Sequence, residues 1–349
     1  MEILIIGDLF VSSESFRKAI EEELGDGHEI REVSWAGETA EDQHHEQQVM
    51  EVNGPEAVST PEEIVEAVGD AEAIAVHFAP VPEAVLRAGP NLKLVVVARA
   101  GFENINVEVA SELGVAVVNL QGRNAPAVAE QALLFMLATT RDLARADRGV
   151  RAGGWPKEST KTAYDLYGST VGLIGFGQVA RQLATRISGF NVRLLVFDPY
   201  VDAETIESLG GEKVNDLEMV LREGDFVSLH ARLSEETRRF IGKEQFDLMK
   251  PTAYFINNAR SRMVNYDDLY EVLKEGRMQG AALDVHDDEP LGEGNPWLDL
   301  PNVILTPHIA GTSSSTSENT VRMTAEAIGA FVETGRCENT INSEELEKS

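Results

Sequence analysis

The sequence predicts an α/β fold built from two doubly wound, parallel-sheet domains. Three observations predict it. Short apolar runs recur along the chain between helical patterns, most of them are apolar at consecutive positions, and one leads through a glycine turn into a helix. Strands covered on both faces need such continuous runs, and their alternation with helices marks βα units. At 349 residues the chain is long for one core and comfortable for two.

The runs follow in order. "EILIIGD", "HEIREVS" and "EAIAVHF" open the chain, with "LKLVVVA" and "GVAVVN" after them. "TVGLIGF", "VRLLVFD", "DFVSLHA", "AYFINNA", "GAALDV" and "NVILTP" make up the second series. Between the two series lies "PAVAEQALLFMLATTRDLARADRGVRAG", read as one helical segment. Pro126 stands at its first helical position and Asn124 upstream as its cap candidate. Through Leu137 it is apolar nearly all round, which predicts burial between domains or against another subunit, whereas its Arg- and Asp-rich half predicts a solvated face. Residues 35–57 read as a polar excursion near the substrate domain. His44 and His45 are adjacent and share no helix face, which argues against a metal pair, and Trp35 is read as packing rather than ligand-facing.

Composition narrows the function. Thirty basic against 59 acidic residues give a net charge of −29, a surface that repels nucleic acid and anionic membranes. Acid excess with scarce lysine suits a protein kept soluble at high salt, and it suits an ordinary acidic cytoplasmic protein equally well. No stretch approaches the ~20 apolar residues that span a bilayer. "MEILIIGDLF" has no basic segment ahead of its apolar run, so it reads as a first strand and not a signal peptide. A single cysteine, Cys337, cannot form an internal disulfide, which points to a reducing compartment, the cytoplasm.

"VGLIGFGQVAR" places Gly175, Gly177 and Ala180 in the spacing G-x-G-x-x-A after a strand and at the start of a helix. Gly175 permits the tight turn, Gly177 lets a pyrophosphate approach the backbone, and Ala180 keeps helix and strand close. Asp198 ends the next strand, 23 residues after Gly175, where a carboxylate would accept hydrogen bonds from an adenosine ribose diol and repel a 2′-phosphate. No arginine follows it directly, so NAD is expected over NADP. Ligands of an open parallel sheet bind outside the carboxyl ends of its strands. At those ends stand Asp198, His230-Ala231, Asn257 to Arg260, Asp284 and Thr306 to His308.

"VGLIGFGQVAR", "NNARSRMVN", "ALDVHDDEP" and "TPHIAG", in this order, resemble the D-isomer-specific 2-hydroxyacid dehydrogenase family, on its phosphoglycerate dehydrogenase-like branch. The resemblance spans roughly residues 92–335. It implies a Rossmann cofactor domain, 122–311, inserted into a flavodoxin-like substrate domain made of 1–121 and 312–349. It places the family's catalytic arginine on Arg260, its glutamate on Glu289 and its histidine on His308. An arginine fork can grip a carboxylate, and an imidazole paired with a carboxylate can give a proton to a carbonyl as hydride arrives. Singly, each of these residues reads more simply as structural; their joint order behind the glycine turn reverses that reading.

The resemblance implies further cofactor contacts at Gln178, Val179, Ala231, Asn258 and Asp284, with Asp284 open to the alternative of a strand-end cap. It implies a substrate-carboxylate loop at Arg99, Ala100, Gly101 and Phe102, with the Arg99 side chain open to a plain surface position. It implies that the apolar helix after Pro126 forms a homodimer. The sequence departs from the pattern in three places: "RAGFEN" is short, "HAR" replaces His-x-Pro at 230–232, and Ser261 stands where glycine is usual. Only 41 residues follow His308, which implies no added regulatory domain. Within the class, Glu289 argues against a formate dehydrogenase, while a phosphite-oxidising relative keeps the same three residues. The expected function is NAD-dependent hydride transfer on a small 2-oxo or 2-hydroxy acid, without a metal. The alternative is an NAD(H)-sensing binding protein of the same fold, acting through protein association. Which acid is used stays open.

Overall fold

The computed structural model describes residues 1–37, 39–157 and 164–347. Five strands come first: β1 (Glu2–Gly7), β2 (Glu29–Ser34), β3 (Ala73–Val76), β4 (Leu94–Val97) and β5 (Ala116–Asn119). Seven follow: β6 (Thr170–Ile174), β7 (Arg193–Phe197), β8 (Gly211–Val214), β9 (Phe226–Leu229), β10 (Tyr254–Asn257), β11 (Gly280–Leu283) and β12 (Val303–Leu305). The helices that matter below are α1 (Ser13–Leu24), α2 (Ala40–Asn53), α3 (Ala125–Thr140) and α4 (Leu143–Arg151). Three more are α5 (Gln178–Ile187), α6 (Tyr266–Lys274) and α7 (Ser314–Thr334). Among the described residues no helix is long and apolar enough to cross a membrane.

The chain forms two compact units, Met1–Arg123 with Ser313–Ser349, and Asn124–Thr312. The first holds a five-stranded sheet in the order β2-β1-β3-β4-β5, paired in parallel throughout. That is a doubly wound, flavodoxin-like order, which reverses direction at β1/β3. Both faces are covered, as the consecutive apolar runs require. Leu4 and Ile6 of β1 face one cluster with Val95 and Val97 of β4, and Ile3 and Ile5 face the other. On that second face lie Phe16 and Ile20 of α1 and Ala325 and Ile328 of α7. Burying each such side chain contributes about 1.5–3 kcal/mol.

The second unit holds seven parallel strands in the order β12-β11-β10-β9-β6-β7-β8. Strand direction of build-up reverses beside β6, the strand that carries the glycine turn. Phe255 of β10 points into one cluster, and Tyr254 and Ile256 into the other. α3 and α5 cover the latter face through Ala129, Ala132, Phe135, Met136, Ala180, Leu183 and Ile187.

Two local expectations need correction, and two further segments gain detail. The segment after Pro126 is not one helix: α3 stops at Thr140, and Asp142, with φ +51°, turns the chain into α4. Pro126 is the second residue of α3, and the Asn124 side chain makes no capping bond. Within this chain alone α3 buries one side, and Leu134 and Leu137 are exposed. Residues 35–57, read as a polar excursion, contain a helix, with Thr39 and Asp42 forming a reciprocal capping box at the start of α2. Residue 38 lies outside the described residues. Trp35 is buried, and the fully buried Gln43 donates to its carbonyl while accepting from Leu9 N–H. His44 and His45 are both exposed.

Candidate active site

The carboxyl ends of the second unit's strands bring the sequence's candidates together. β6 leads into Gly175 at φ +93°, a conformation that other residues adopt only at a cost. A Cβ there would also meet the backbone of His230 and Ala231 at 2.6–2.7 Å, so the turn after β6 and the end of β9 pack as bare backbone. Gly177 is different: a Cβ would point into open space. It is the N-cap of α5, makes no side-chain capping bond, and no acidic residue occupies the first turn. The first N–H groups of α5 therefore lack a side-chain acceptor, the arrangement that receives a diphosphate. Gln178 is exposed on that turn, Val179 is half-buried, and Ala180 is fully buried.

Asp198 is half-buried at the end of β7. One oxygen accepts from Phe176 N–H at 2.7 Å, and the other from Tyr200 and Val201 N–H at 2.8 and 3.0 Å. A carboxylate has about four acceptor positions, so few remain for a ribose. Asn258 is buried after β10; its Nδ2 donates to Val128 O at 2.9 Å, and its Oδ1 is buried with no donor among the described residues. Such an orphaned acceptor fits a ligand that brings an O–H or N–H. Ala231 is half-buried next to His230, whose imidazole burial holds down at about 4. Free α5 N–H groups, a Gly177 cradle and the Asn258 acceptor together fit a dinucleotide.

His308 follows β12 and Glu289 lies in the loop after β11. His308 Nδ1 meets Glu289 Oε2 at 2.9 Å, and the second Glu289 oxygen accepts from His286 N–H at 2.8 Å. The Glu289 hydrogen bond raises the His308 imidazole above its ordinary range, outweighing burial and the Arg260 charge, which pull it down. Burial alone would raise Glu289; the His308 bond and charge and the His286 N–H more than offset that and lower it. The pair therefore favours imidazolium beside carboxylate. Nδ1 is engaged, which leaves Nε2 as the nitrogen from which a proton can be delivered. Arg260, after β10, is exposed and donates to Ala259 O at 2.7 Å. It is close enough for its charge to act on His308.

Asp284 makes the bonds of a strand-end cap. It is fully buried; Oδ1 accepts from the Thr306 hydroxyl and Ile309 N–H, and Oδ2 from Ala310 N–H at 2.8 Å. These bonds hold the turn in which His308 sits at φ +52°, an uncommon conformation for a side chain of this size. Three residues support this arrangement; Tyr266 and His286 escaped the sequence reading, and Asn257 was noted there only as a strand-end residue. Tyr266 of α6 donates to Val285 O, and Asn257 bridges Tyr266 OH and Arg260 O, at 3.3 and 3.1 Å. His286 Nε2 donates to Thr306 O at 2.9 Å. None of the three carries a sequence signal beyond standing near a strand end.

In the first unit, the Arg99 side chain is not a surface position. It is buried, donates to Glu51 at 2.9 Å and Glu103 at 3.4 Å, and lies over the Phe78 ring. Ala100 O accepts from Asn119 Nδ2 at 2.6 Å, and Gly101 and Phe102 are half-buried beside it.

Residues 133–310 match the family model described as D-isomer specific 2-hydroxyacid dehydrogenase, NAD binding domain. The chain is 36% identical over 318 residues to the glyoxylate reductase of Korarchaeum cryptofilum, covering 90% of this chain and 95% of that one. It is also 36% identical over 284 residues to the D-3-phosphoglycerate dehydrogenase of Methanocaldococcus jannaschii, covering 81% of this chain but only 54% of that longer one. In fold it is similar to the NAD-complexed form of a D-isomer specific 2-hydroxyacid dehydrogenase from Lactobacillus delbrueckii ssp. bulgaricus. That likeness has a TM-score of 0.78 at 21% identity, and covers 98% of this chain and 100% of that one.

Proposed function

Since the chain belongs to the D-isomer specific 2-hydroxyacid dehydrogenase family, we propose that it transfers a hydride between NAD and C2 of a small 2-oxo or 2-hydroxy acid. The observation that carries this reading is the 2.9 Å pair of His308 and Glu289, with the Arg260 charge acting on it. When bound, the nicotinamide supplies or accepts the hydride at C4. In reduction, His308 donates a proton from Nε2 to the carbonyl oxygen; in oxidation it takes one. Glu289 holds the imidazolium charged and oriented. Arg260, an exposed fork, grips the substrate carboxylate and polarises the adjacent carbonyl. Gly175, Gly177, Gln178 and Val179 hold the diphosphate. Asn258 and Ala231 border the cofactor, and the remaining acceptor position of Asp198 serves the adenosine ribose. Asp284 acts mainly by shaping the His308 turn. The 99–102 loop is proposed as a substrate contact through its backbone, and the D-isomer follows from the family.

A homodimer is also proposed. Leu134 and Leu137 of α3 and Leu143 and Val150 of α4 are all exposed apolar side chains in an otherwise acidic chain. Size-exclusion chromatography with light scattering reads the mass directly. A cytoplasmic location is proposed from the single, half-buried Cys337, whose thiol burial pushes up to about 11.

The test is NADH oxidation against a panel of 2-oxo acids, from glyoxylate to four- and five-carbon sugar acids. Turnover of at least one member supports the reading. Tight NADH binding with no turnover on any of them replaces it with the sensor alternative.

A further inference from the structure

The carboxyl edge of the first unit's sheet carries a second constellation of charge. Asp8 follows β1, His77 follows β3, Arg99 stands beyond β4, and Arg123 lies beyond β5. Asp8 and His77 sit at β1/β3, where the strand order reverses, the position at which open α/β sheets receive ligands. His77 Nδ1 meets Asp8 Oδ2 at 3.0 Å, and His77 Nε2 meets an Arg123 guanidinium nitrogen at 3.2 Å. A guanidinium only donates. Nε2 therefore accepts, Nδ1 carries the proton, and that proton is donated to Asp8. A neutral imidazole thus stands between carboxylate and guanidinium.

This arrangement aims the arginine without neutralising it. Asp8 is itself anchored by N–H bonds from Phe10, Val11 and Phe78 at 2.8, 2.8 and 3.0 Å. Thr320 Oγ1 of α7 accepts a second Arg123 bond at 2.9 Å. Two of the five guanidinium donors are engaged this way, and the carboxylate that Arg123 senses is Asp8, across the ring. Arg99 is near enough to add repulsion; burial, then that charge, bring the Arg123 guanidinium down to about 10, so it stays cationic at neutral pH. In a chain with 59 acidic residues against 30 basic, a half-buried arginine with no direct carboxylate among the described residues is a site short of an anion. Arg99, by contrast, has Glu51 and Glu103.

We infer that the first unit carries an anion-binding site in which Arg123, aimed by Asp8 and His77, takes the carboxylate or phosphate of a ligand. A bidentate pair with either group would use the free guanidinium donors. Two sources share this chemistry: a second anionic group on the 2-oxo acid, which rests on the proposed function, and a free inorganic anion, which does not.

Two measurements on the full-length protein test it. The first is the melting temperature with inorganic phosphate against chloride at equal ionic strength, in wild type and Arg123→Gln. The second is the ratio of kcat/KM for phosphohydroxypyruvate to that for hydroxypyruvate in the same two proteins. A substrate anion predicts a wild-type ratio well above one that falls about tenfold or more in Arg123→Gln, through KM. A free anion predicts phosphate stabilisation of the wild type, lost in the variant, with a ratio near one in both. Phosphate stabilisation without turnover of any 2-oxo acid would sink the dehydrogenase reading and leave the anion site standing. If phosphate gives the wild type nothing beyond chloride and the phosphorylated acid has no advantage, the inference is overturned. Both wild-type readings hold even where the variant fails to fold.

Discussion

Among the described residues stand two histidine–carboxylate pairs of nearly the same length and opposite behaviour. His308–Glu289 spans 2.9 Å and His77–Asp8 spans 3.0 Å. The His308 imidazole is raised, chiefly by its Glu289 bond. The His77 imidazole is lowered: burial outweighs its Asp8 bond, and the charges of Arg123 and Arg99 push the same way. The surroundings account for the difference. The His308 side chain is 43% exposed, and Asp284 adds a second negative charge; the His77 side chain is 4% exposed and faces two arginines. Hydrogen-bond length alone therefore does not say what a histidine does. The exposed pair can exchange a proton, and the buried pair holds one still.

The largest expected effect breaks the comparison at its reactive end. His308→Ala should lower kcat for 2-oxo acid reduction by about 10²–10⁴-fold, with NADH affinity little changed, because it removes the proton donor and no dinucleotide contact. Single-turnover absorbance together with NADH fluorescence titration separates the two. An unchanged kcat would dismiss His308 as the acid.

The next breaks the buried end. Asp8→Asn places an amide against four donors, the His77 Nδ1–H and the N–H groups of Phe10, Val11 and Phe78. Leaving buried donors unmatched costs about 1–3 kcal/mol, readable in urea unfolding. The wild-type pH dependence has a definite sign. His77 binds its proton less readily folded than unfolded, so stability is lost as pH falls below about 6.5, its unfolded value. His230, held at about 4, adds to the same loss. Asp8, lowered in the folded state although burial opposes it, loses its contribution further down, as pH falls below its unfolded value. His308, raised, contributes in the other direction, and its share is lost as pH rises through its folded value.

The smallest effect sharpens the exposed pair. Reduction requires the His308 imidazolium, so kcat/KM for reduction should fall as pH rises through the raised value, and oxidation should fall as pH drops through it. Glu289→Gln removes the charge that raises the imidazole, which moves the reductive limb to lower pH. The amide also cannot accept from both His308 and His286 with the geometry of the carboxylate. A pH–rate profile unmoved by this change would assign the titration to another group.

Much of this is legible in the chain before folding. The recurring runs yield eleven of the strands; most are apolar at successive positions because they are buried on both faces, whereas β2, at a sheet edge, is not. "GEKV" of β8 escaped, since it lies at the sheet edge where Glu212 and Lys213 need no cover. The break between α3 and α4 escaped as well, because Asp142 turns the chain without glycine or proline. The capping box of α2 was hidden in polar residues that read equally well as loop.

What the sequence by itself determined is local: the covered strands, the Gly175 turn that no other residue enters freely, and the order of Arg260, Glu289 and His308. The first two follow from φ/ψ sterics and apolar periodicity, which act over a few residues, and the third from the resemblance to the family's motifs. Only the tertiary structure decided that Asp284 shapes the His308 turn, or that His77 stands between Asp8 and Arg123, 69 and 46 residues away. It alone decided in which direction each imidazole shifts. Desolvation and charge depend on what surrounds a group in space, and neighbours in sequence do not carry that information.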